Sequence, residues 1–112
     1  MTTKQMFLVA CEVCPMEQNE FLLFLDRAIR ALLSRYPTSL LCREGDSEIK
    51  SPTSLDDDCG FHDLYSGALI QGAIAGKTKR EDDRLLFLEE ADMTYRNLWR
   101  RAARGKRHMA GR

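Results

Sequence analysis

Three cysteines and one histidine are the residues of this chain whose types and spacing could support chemistry, and they form two pairs. Cys11 and Cys14 form a C-x-x-C pair, and Cys59 and His62 form a C-x-x-H pair. Thiolates and imidazoles are preferred ligands of zinc, and each spacing allows two ligands to reach one ion. The residues between the two cysteines are not the small ones typical of a zinc knuckle. A structural zinc site built from these four residues is one interpretation, and buried free thiols are the alternative. No other cofactor is expected.

The same C-x-x-C pair also resembles the redox site of thioredoxin-like proteins. Gln5–Leu33 is similar to that site in its predicted order of strand, C-x-x-C and helix, and residues 51–53 resemble the segment with a cis-proline. In that family the helix N-terminus lowers the pKa of the first thiol. The chain departs from the family because Pro15 follows the second cysteine and no strands are predicted after Pro52. The resemblance implies a thiol–disulfide oxidoreductase, which is the one enzymatic alternative.

Other catalytic and phosphate-binding patterns are weak in this chain. It has two histidines, His62 and His108, and the acidic run Asp56–Asp58 lies in a loop rich in serine and proline. Such a run is typical of a solvated turn. The glycines at positions 67, 72 and 76 follow a helical pattern with no strand before them, which argues against a phosphate-binding loop. We therefore expect no catalytic residue and a non-enzymatic protein.

Basic charge is concentrated at the C-terminal end. The segment 96–112 holds seven Lys or Arg residues and no acid, whereas residues 1–95 hold 10 basic and 17 acidic residues. A chain with no net charge can therefore present a strongly basic surface. Arginine contacts phosphates and stacks on aromatic rings, so this end could bind nucleic acid. The candidate binding residues are Arg96, Trp99, Arg100, Arg101, Arg104, Lys106 and Arg107.

The charge at this end also has simpler explanations. Cations are favoured at helix C-termini by the helix dipole, and a basic end can pair with the acidic body of its own chain. Trp99 is expected in the core, with a stacking platform as the alternative. The acidic body is an alternative binding surface, because it could mimic nucleic acid. Its candidate residues are Glu44, Asp46, Glu48, Asp56, Asp57, Asp58, Glu81, Asp82 and Asp83.

The hydrophobic pattern predicts a strand, a helix and a second strand in the first half of the chain. Phe7–Ala10 is apolar without alternation, which favours a strand buried on both faces over Gln5–Cys11. Apolar residues at helical spacing predict a helix over Met16–Arg35, which Pro37 ends. A second strand is predicted over Thr38–Arg43. This order predicts one βαβ unit.

The second half is predicted to hold an edge strand and two helices. Glu48–Lys50 is the candidate edge strand. Phe61–Ala75 has a helical pattern, and its small residues would allow a neighbouring helix to approach closely. Thr78 is the predicted N-cap of a long final helix, and Gly105 is its predicted end.

These elements predict an α+β fold. A small two- or three-stranded sheet packs against three helices, and the long C-terminal helix has a basic end. Residues 1–104 are expected to form a single compact domain, and residues 105–112 a basic, mobile tail. No apolar run reaches the length that a bilayer requires, and the N-terminal pattern is not that of a signal peptide, so we expect a cytoplasmic location.

The sequence favours a small non-enzymatic regulatory or inhibitor protein that acts by binding a macromolecule. The expected partner is nucleic acid or a nucleoprotein, reached through the basic helix. The alternative is a protein–protein inhibitor that acts through the acidic surface. In size and lack of catalytic groups the chain is similar to small accessory proteins of phages and mobile elements. A homodimer through the final helix is also consistent with its apolar stripe.

Overall fold

A computed structural model describes residues 1–46 and 48–110, and for residues 105–110 it describes only the backbone. Within these ranges the chain is helical and contains no β-strand, so the predicted α+β fold with a two- or three-stranded sheet is wrong. Two single-turn 3-10 helices, at Thr38–Leu40 and Asp63–Tyr65, lie in the connection between the second and third helices. The described α-helices are α1 (Thr3–Val13), α2 (Gln18–Arg35), α3 (Ser66–Thr78) and α4 (Glu81–Ala110).

Helix α1 replaces the strand predicted over Gln5–Cys11. Its N-terminus is closed by a capping box, in which the Thr2 hydroxyl accepts a hydrogen bond from the Gln5 amide and the Gln5 side chain accepts one from the Thr2 amide. Met6 and Ala10, four residues apart, are buried on one face. The periodicity of a short apolar run does not distinguish a strand from a buried helix. The capping box of Thr2 and Gln5 favours the helix.

Helix α2 confirms the prediction of a helix over Met16–Arg35, although it begins two residues later. Pro15 precedes the helix instead of lying in its first turn. Phe21, Leu25 and Leu32 are fully buried, as the apolar spacing predicts. This helix supplies one wall of the core.

The second predicted strand, Thr38–Arg43, is also wrong. Its first residues form a 3-10 turn, and the remainder makes one isolated antiparallel bridge, between Cys42 and Phe61. The Arg43 amide donates to the Gly60 carbonyl at 2.9 Å. Because α1 is a helix, this segment has no parallel strand to pair with. The predicted edge strand Glu48–Lys50 is likewise absent, and the Lys50 amide donates a hydrogen bond to the Cys59 carbonyl at 3.1 Å.

Helix α3 lies at the centre of the fold and packs against α1, α2 and α4. It confirms a helix in the region Phe61–Ala75, but begins at Ser66 and ends at Thr78. A Cβ at Gly72 would lie 2.7 Å from the Ala28 Cβ, and one at Gly76 would lie 2.7 Å from the Phe24 ring. The expected close approach of neighbouring helices at these small residues is therefore confirmed.

Helix α4 begins later along the chain than predicted and also ends later than predicted. Thr78 is the last residue of α3 and not the N-cap of α4, which begins at Glu81. The helix continues past its predicted end at Gly105 to Ala110. The mobility of residues 105–112 stays a prediction, and Gly111 and Arg112 lie outside the described residues. Phe87 and Ala91 anchor the first half of α4 in the core.

Candidate functional site

The C-x-x-C pair lies at the wrong end of a helix for a thioredoxin-like site. Cys11 is in the last turn of α1, and Cys14 is its C-cap. A thioredoxin-like arrangement needs a strand before the pair and a helix N-terminus at the first cysteine, and here the preceding segment is itself helical. The Cys11 thiol donates a hydrogen bond to the Met16 carbonyl at 3.4 Å. The redox resemblance therefore has no counterpart in the described geometry.

The predicted zinc ligands are not assembled into one site. Across residues 1–46 and 48–104, no group of three or more His, Cys, Asp or Glu side chains is placed to hold a metal ion. Cys59 is buried, and the His62 Nδ1 atom accepts a hydrogen bond from the Leu64 amide at 3.2 Å. Cys11 lies in the last turn of α1, and Cys14 is its C-cap. The four residues thus belong to separate local structures.

Cys42 and Cys59 have the properties of thiols that contribute to packing. They are 9% and 5% exposed. Burial is the main cause that raises the pKa of each thiol above its ordinary value, and in both cases a nearby aspartate adds to the effect. A thiol with a raised pKa is protonated at neutral pH and is a poor nucleophile or metal ligand.

Two members of the acidic run Asp56–Asp58 stabilise the loop through hydrogen bonds and an ion pair. The Asp57 carboxylate accepts hydrogen bonds from the Thr53 hydroxyl, at 2.8 Å, and from the Thr53 and Ser54 amides, at 3.0 and 3.2 Å. These bonds lower the pKa of Asp57. Asp58 forms a two-point ion pair with the Arg43 guanidinium at 2.6 and 3.0 Å, which lowers the pKa of Asp58. Both carboxylates therefore have structural partners.

The acids of the first turn of α4 are also partly engaged. Asp83 accepts a hydrogen bond from the Thr78 hydroxyl at 2.7 Å and one from the Gln71 amide group at 3.4 Å. These bonds fix the turn that joins α3 to α4. Glu81 and Asp82 are exposed. Their position suits the helix dipole, so the acidic cluster has a structural explanation of its own.

The predicted basic residues separate into two groups on α4. Arg96 forms an ion pair with Asp92, four residues earlier, with 2.9 Å between the nitrogen and the oxygen. Arg100, Arg101 and Arg104 are exposed, and they make no ion pair within the part of the chain that the structure describes. The side chains of Lys106 and Arg107 lie outside the described residues. We use the term basic end for Trp99, Arg100, Arg101 and Arg104.

Trp99 is 56% exposed, so the interpretation of this residue as part of the core is wrong. Together with Arg100, Ala103 and Arg104 it lines a shallow pocket of about 190 Å³. From Trp99 to Arg104, every side chain except that of Ala103 is exposed. An indole and guanidinium groups on one exposed face can offer both a stacking surface and donors to phosphate.

The helix dipole does not account for the basic end. The dipole effect falls off within the last turn of a helix. Helix α4 continues to Ala110, so Arg100 and Arg104 lie before that turn. Pairing with an acid of the same chain explains the charge of Arg96. Within the described residues, neither such pairing nor the helix dipole explains the charge of Arg100 and Arg104.

A second cationic region was not predicted. Arg27, Lys79, Arg80 and Arg84 line a groove of about 260 Å³ between α2 and α4, with α3 beneath it. The sequence carries a signal for it, because basic residues are dense around the turn from α3 to α4. That signal was missed because the cations are interleaved with acids, and because Arg27 comes from a distant part of the chain.

The described side chains thus form two cationic surfaces that are candidates for binding, the basic end of α4 and the groove between α2 and α4. Neither contains an arrangement of nucleophile, base and orienting group of the kind that catalysis requires. Within the described residues no helix has both the length and the apolar character needed to cross a membrane. Comparisons with protein families, with curated proteins and with solved structures found no match to this chain.

Proposed function

We propose that this protein is a small non-enzymatic regulator or inhibitor that binds nucleic acid, free or in a nucleoprotein, through the basic end of α4. The observation that carries the proposal is the state of Arg100, Arg101 and Arg104. All three are exposed on a helix, next to an exposed tryptophan, without an acidic partner among residues 1–46 and 48–104. Three such cations on one short segment are suited to a polyanion.

The helical spacing of these residues places all three arginines on one face of α4, from which they could contact phosphates. At roughly 100° per residue, Arg100 and Arg104 point within about 40° of each other, and Arg101 points about 100° away from Arg100. The major groove of B-DNA admits an α-helix. The three arginines lie within an arc of about 100° and would face the phosphates that line such a groove. Such contacts position a protein and carry little sequence information.

Trp99 would add contact area that does not depend on sequence. Its indole ring is available for stacking on an unpaired base or against a sugar. Stacking on an aromatic side chain contributes about 1–3 kcal/mol per base. A preference for single-stranded over double-stranded nucleic acid would therefore depend on Trp99 more than on the arginines.

The acidic surface is the weaker candidate for partner binding. Asp57, Asp58 and Asp83 already accept hydrogen bonds or ion pairs within the chain. Asp57 and Asp58 remain exposed to solvent, but their charge is partly satisfied by these contacts within the chain. Arg100, Arg101 and Arg104 make no ion pair among the described residues, which supports the basic end as the primary surface.

Fluorescence anisotropy with labelled single- and double-stranded DNA and RNA tests the proposal. We expect the triple variant Arg100→Ala, Arg101→Ala, Arg104→Ala to bind at least about tenfold more weakly. We also expect its slope of log affinity against log salt to fall by about one per arginine removed. Arg30→Ala is the matched control, because Arg30 is exposed but paired with Asp26. Unchanged affinity and slope in the triple variant would contradict the proposal.

A pull-down from native lysate separates nucleic acid from protein partners. We expect the captured material to decrease after nuclease treatment and at high salt. Capture of a protein that survives nuclease, and that is lost on charge reversal at Asp56–Asp58, would instead support the acidic surface.

Homodimer formation through α4 stays a prediction. Leu86 and Met93, seven residues apart on this helix, are exposed large apolar side chains. Two helices that pair would cover such residues. Sedimentation equilibrium of the wild type and of Met93→Glu would test it, with a monomer at all concentrations as the contrary result.

A further inference from the structure

The groove between α2 and α4 has an apolar floor that the protein does not fill. Both helices pack on α3, and its Gly72 and Gly76 bring them close. Phe24 and Phe87 are buried at the two sides of the groove, although about 260 Å³ of open space lies against them. Water in such a space finds few hydrogen-bond partners, so an apolar group that displaces it is favoured.

The rim of the groove is cationic. Arg27 comes from α2, Lys79 and Arg80 from the turn after α3, and Arg84 from α4, and Glu81 is the one acid among the lining residues. None of the four cations makes an ion pair with any residue in the described ranges. The guanidinium of Arg27 lies 5.8 Å from the centre of the Phe24 ring, so charge and apolar surface meet directly.

This groove is separate from the basic end. Arg84 and Arg100 are 16 positions apart, which in a helix corresponds to about 24 Å along the axis and to a rotation of about 160°. The two cationic regions therefore lie on nearly opposite sides of α4. A ligand in the groove and nucleic acid at the basic end would not compete for the same residues.

We infer that the groove is a binding site for a small organic anion with a short apolar body, such as a medium-chain carboxylate. The volume is slightly below the range of about 300–1,000 Å³ typical of small-molecule sites, which favours a small occupant over a partner helix. The apolar body lies on Phe24, Phe87 and the small residues of α2 and α3. The carboxylate faces the rim, where arginine can bind it through two hydrogen bonds.

Lys79 offers a variant in which stability and binding change in opposite directions. It is the C-cap of α3 and has φ of 57°, a left-handed conformation that favours glycine. Lys79→Gly removes a rim cation and also relieves this backbone strain. It should raise the denaturation midpoint while it weakens the binding of the anion.

Titration of the full chain with octanoate, followed by two-dimensional NMR and calorimetry, tests the inference. We expect saturable binding of one octanoate per chain, with shifts centred on Phe24 and Phe87. Octan-1-ol, which lacks the charge, should bind about fivefold more weakly or worse, and Arg84→Gln should weaken octanoate by a similar factor. Ala31→Leu places a larger side chain into the groove from a half-buried position of α2 and should abolish binding without unfolding the helix.

Two control variants with changes outside the groove test whether octanoate binding depends on the groove. Arg30→Gln, on the same helix as Arg27, and the triple arginine variant of the basic end should both bind octanoate as the wild type does. The inference is overturned by an absence of saturation, by equal affinity for octan-1-ol, or by full octanoate affinity in a folded Ala31→Leu. Saturation by an acidic peptide but not by octanoate would assign the groove to a partner protein and would also overturn it.

Discussion

Tyr36 stacks on Tyr95 with 4.4 Å between the ring centres and an angle of 26° between the ring planes. Tyr36 is the C-cap of α2, and Tyr95 lies in the middle of α4, so the stack joins the end of one helix to the side of the other. The Tyr36 hydroxyl also donates a hydrogen bond to Asp92 at 3.3 Å. Asp92 in turn pairs with Arg96. Beyond this contact Leu98 still packs against the core, and the exposed residues of the basic end begin at Trp99.

Tyr95→Ala should destabilise the fold, because it removes the stack on Tyr36. We expect a loss of about 1–3 kcal/mol, since the ring is half-buried and aromatic pairs contribute beyond their buried area. Urea denaturation followed by circular dichroism measures it. Tyr36→Phe is the control that keeps the stack and removes one hydrogen bond, and it should cost about 1 kcal/mol or less. An equal loss in the two variants would argue against a structural role for the stack.

Two glycines of α3 should respond oppositely to alanine. At Gly72 the new Cβ would lie 2.7 Å from the Ala28 Cβ and 2.9 Å from the Phe87 ring, so a helix has to move. We expect Gly72→Ala to cost about 1–3 kcal/mol. At Gly67 the nearest atom is the end of the Glu90 side chain at 3.4 Å, and alanine there should gain up to about 1 kcal/mol through helix propensity. Thermal denaturation of both variants checks the contrast. Equal effects would show that α3 is not tightly packed at Gly72.

The four thiols should differ in their reaction with a thiol reagent. Cys11 and Cys14 are partly exposed in the native structure, whereas Cys42 and Cys59 are buried and have a raised pKa. We expect Ellman's reagent to modify the first pair quickly and the second pair only as fast as the protein opens. Mass spectrometry of the digested protein identifies the sites. Rapid modification of Cys59 in folded protein would contradict the described packing of the loop.

Stability should fall at acidic pH, in part through Asp58. The Arg43 guanidinium lowers the pKa of Asp58 in the folded state below its ordinary value of 3.8, so the unfolded state binds the proton more readily. The contribution of Asp58 is present above that ordinary value and is lost as the pH falls through the lower, folded-state pKa. Denaturation midpoints measured from pH 7 down to about pH 2 should therefore decline more steeply in the wild type than in Asp58→Asn.

Asp56→Asn is the matched control for this pH dependence. Its carboxylate accepts no hydrogen bond from a described residue, and it lies in the same loop. We expect Asp56→Asn to keep the acid dependence of the wild type. If Asp56→Asn and Asp58→Asn flatten the curve equally, the pair between Arg43 and Asp58 is not its source.

The helices with a clear apolar period could be predicted, and the elements that depend on pairing could not. In α2 the apolar face alone specifies the helix. In α1 the apolar run suits a strand or a helix, and the capping box of Thr2 and Gln5 is a local signal that carries more weight than the run. Once α1 is a helix, the segment at Cys42 has no sheet to join. One wrong element therefore led to the wrong fold class.

The basic end could be located from sequence because its residues are contiguous. The sequence could not show that Arg96 pairs with an acid whereas Arg100, Arg101 and Arg104 do not, because pairing depends on the side-chain positions along the helix. The groove depends on residues from α2, α3 and α4 at once. No local sequence pattern indicates that Arg27 and Arg84 line the same groove, and only the tertiary structure shows it.

The central position of α3 has a consequence for the order in which the chain can fold during synthesis. Every extensive packing between α-helices in the described part of the chain involves α3. A nascent chain that has emerged only as far as α2 has the edge contact of Phe7 on Phe21, but lacks the surface against which both helices bury their apolar faces. Until the segment up to Thr78 has been made, the apolar face of α2, with Leu25 and Leu32, lacks its main packing partner and is a surface that a chaperone could bind.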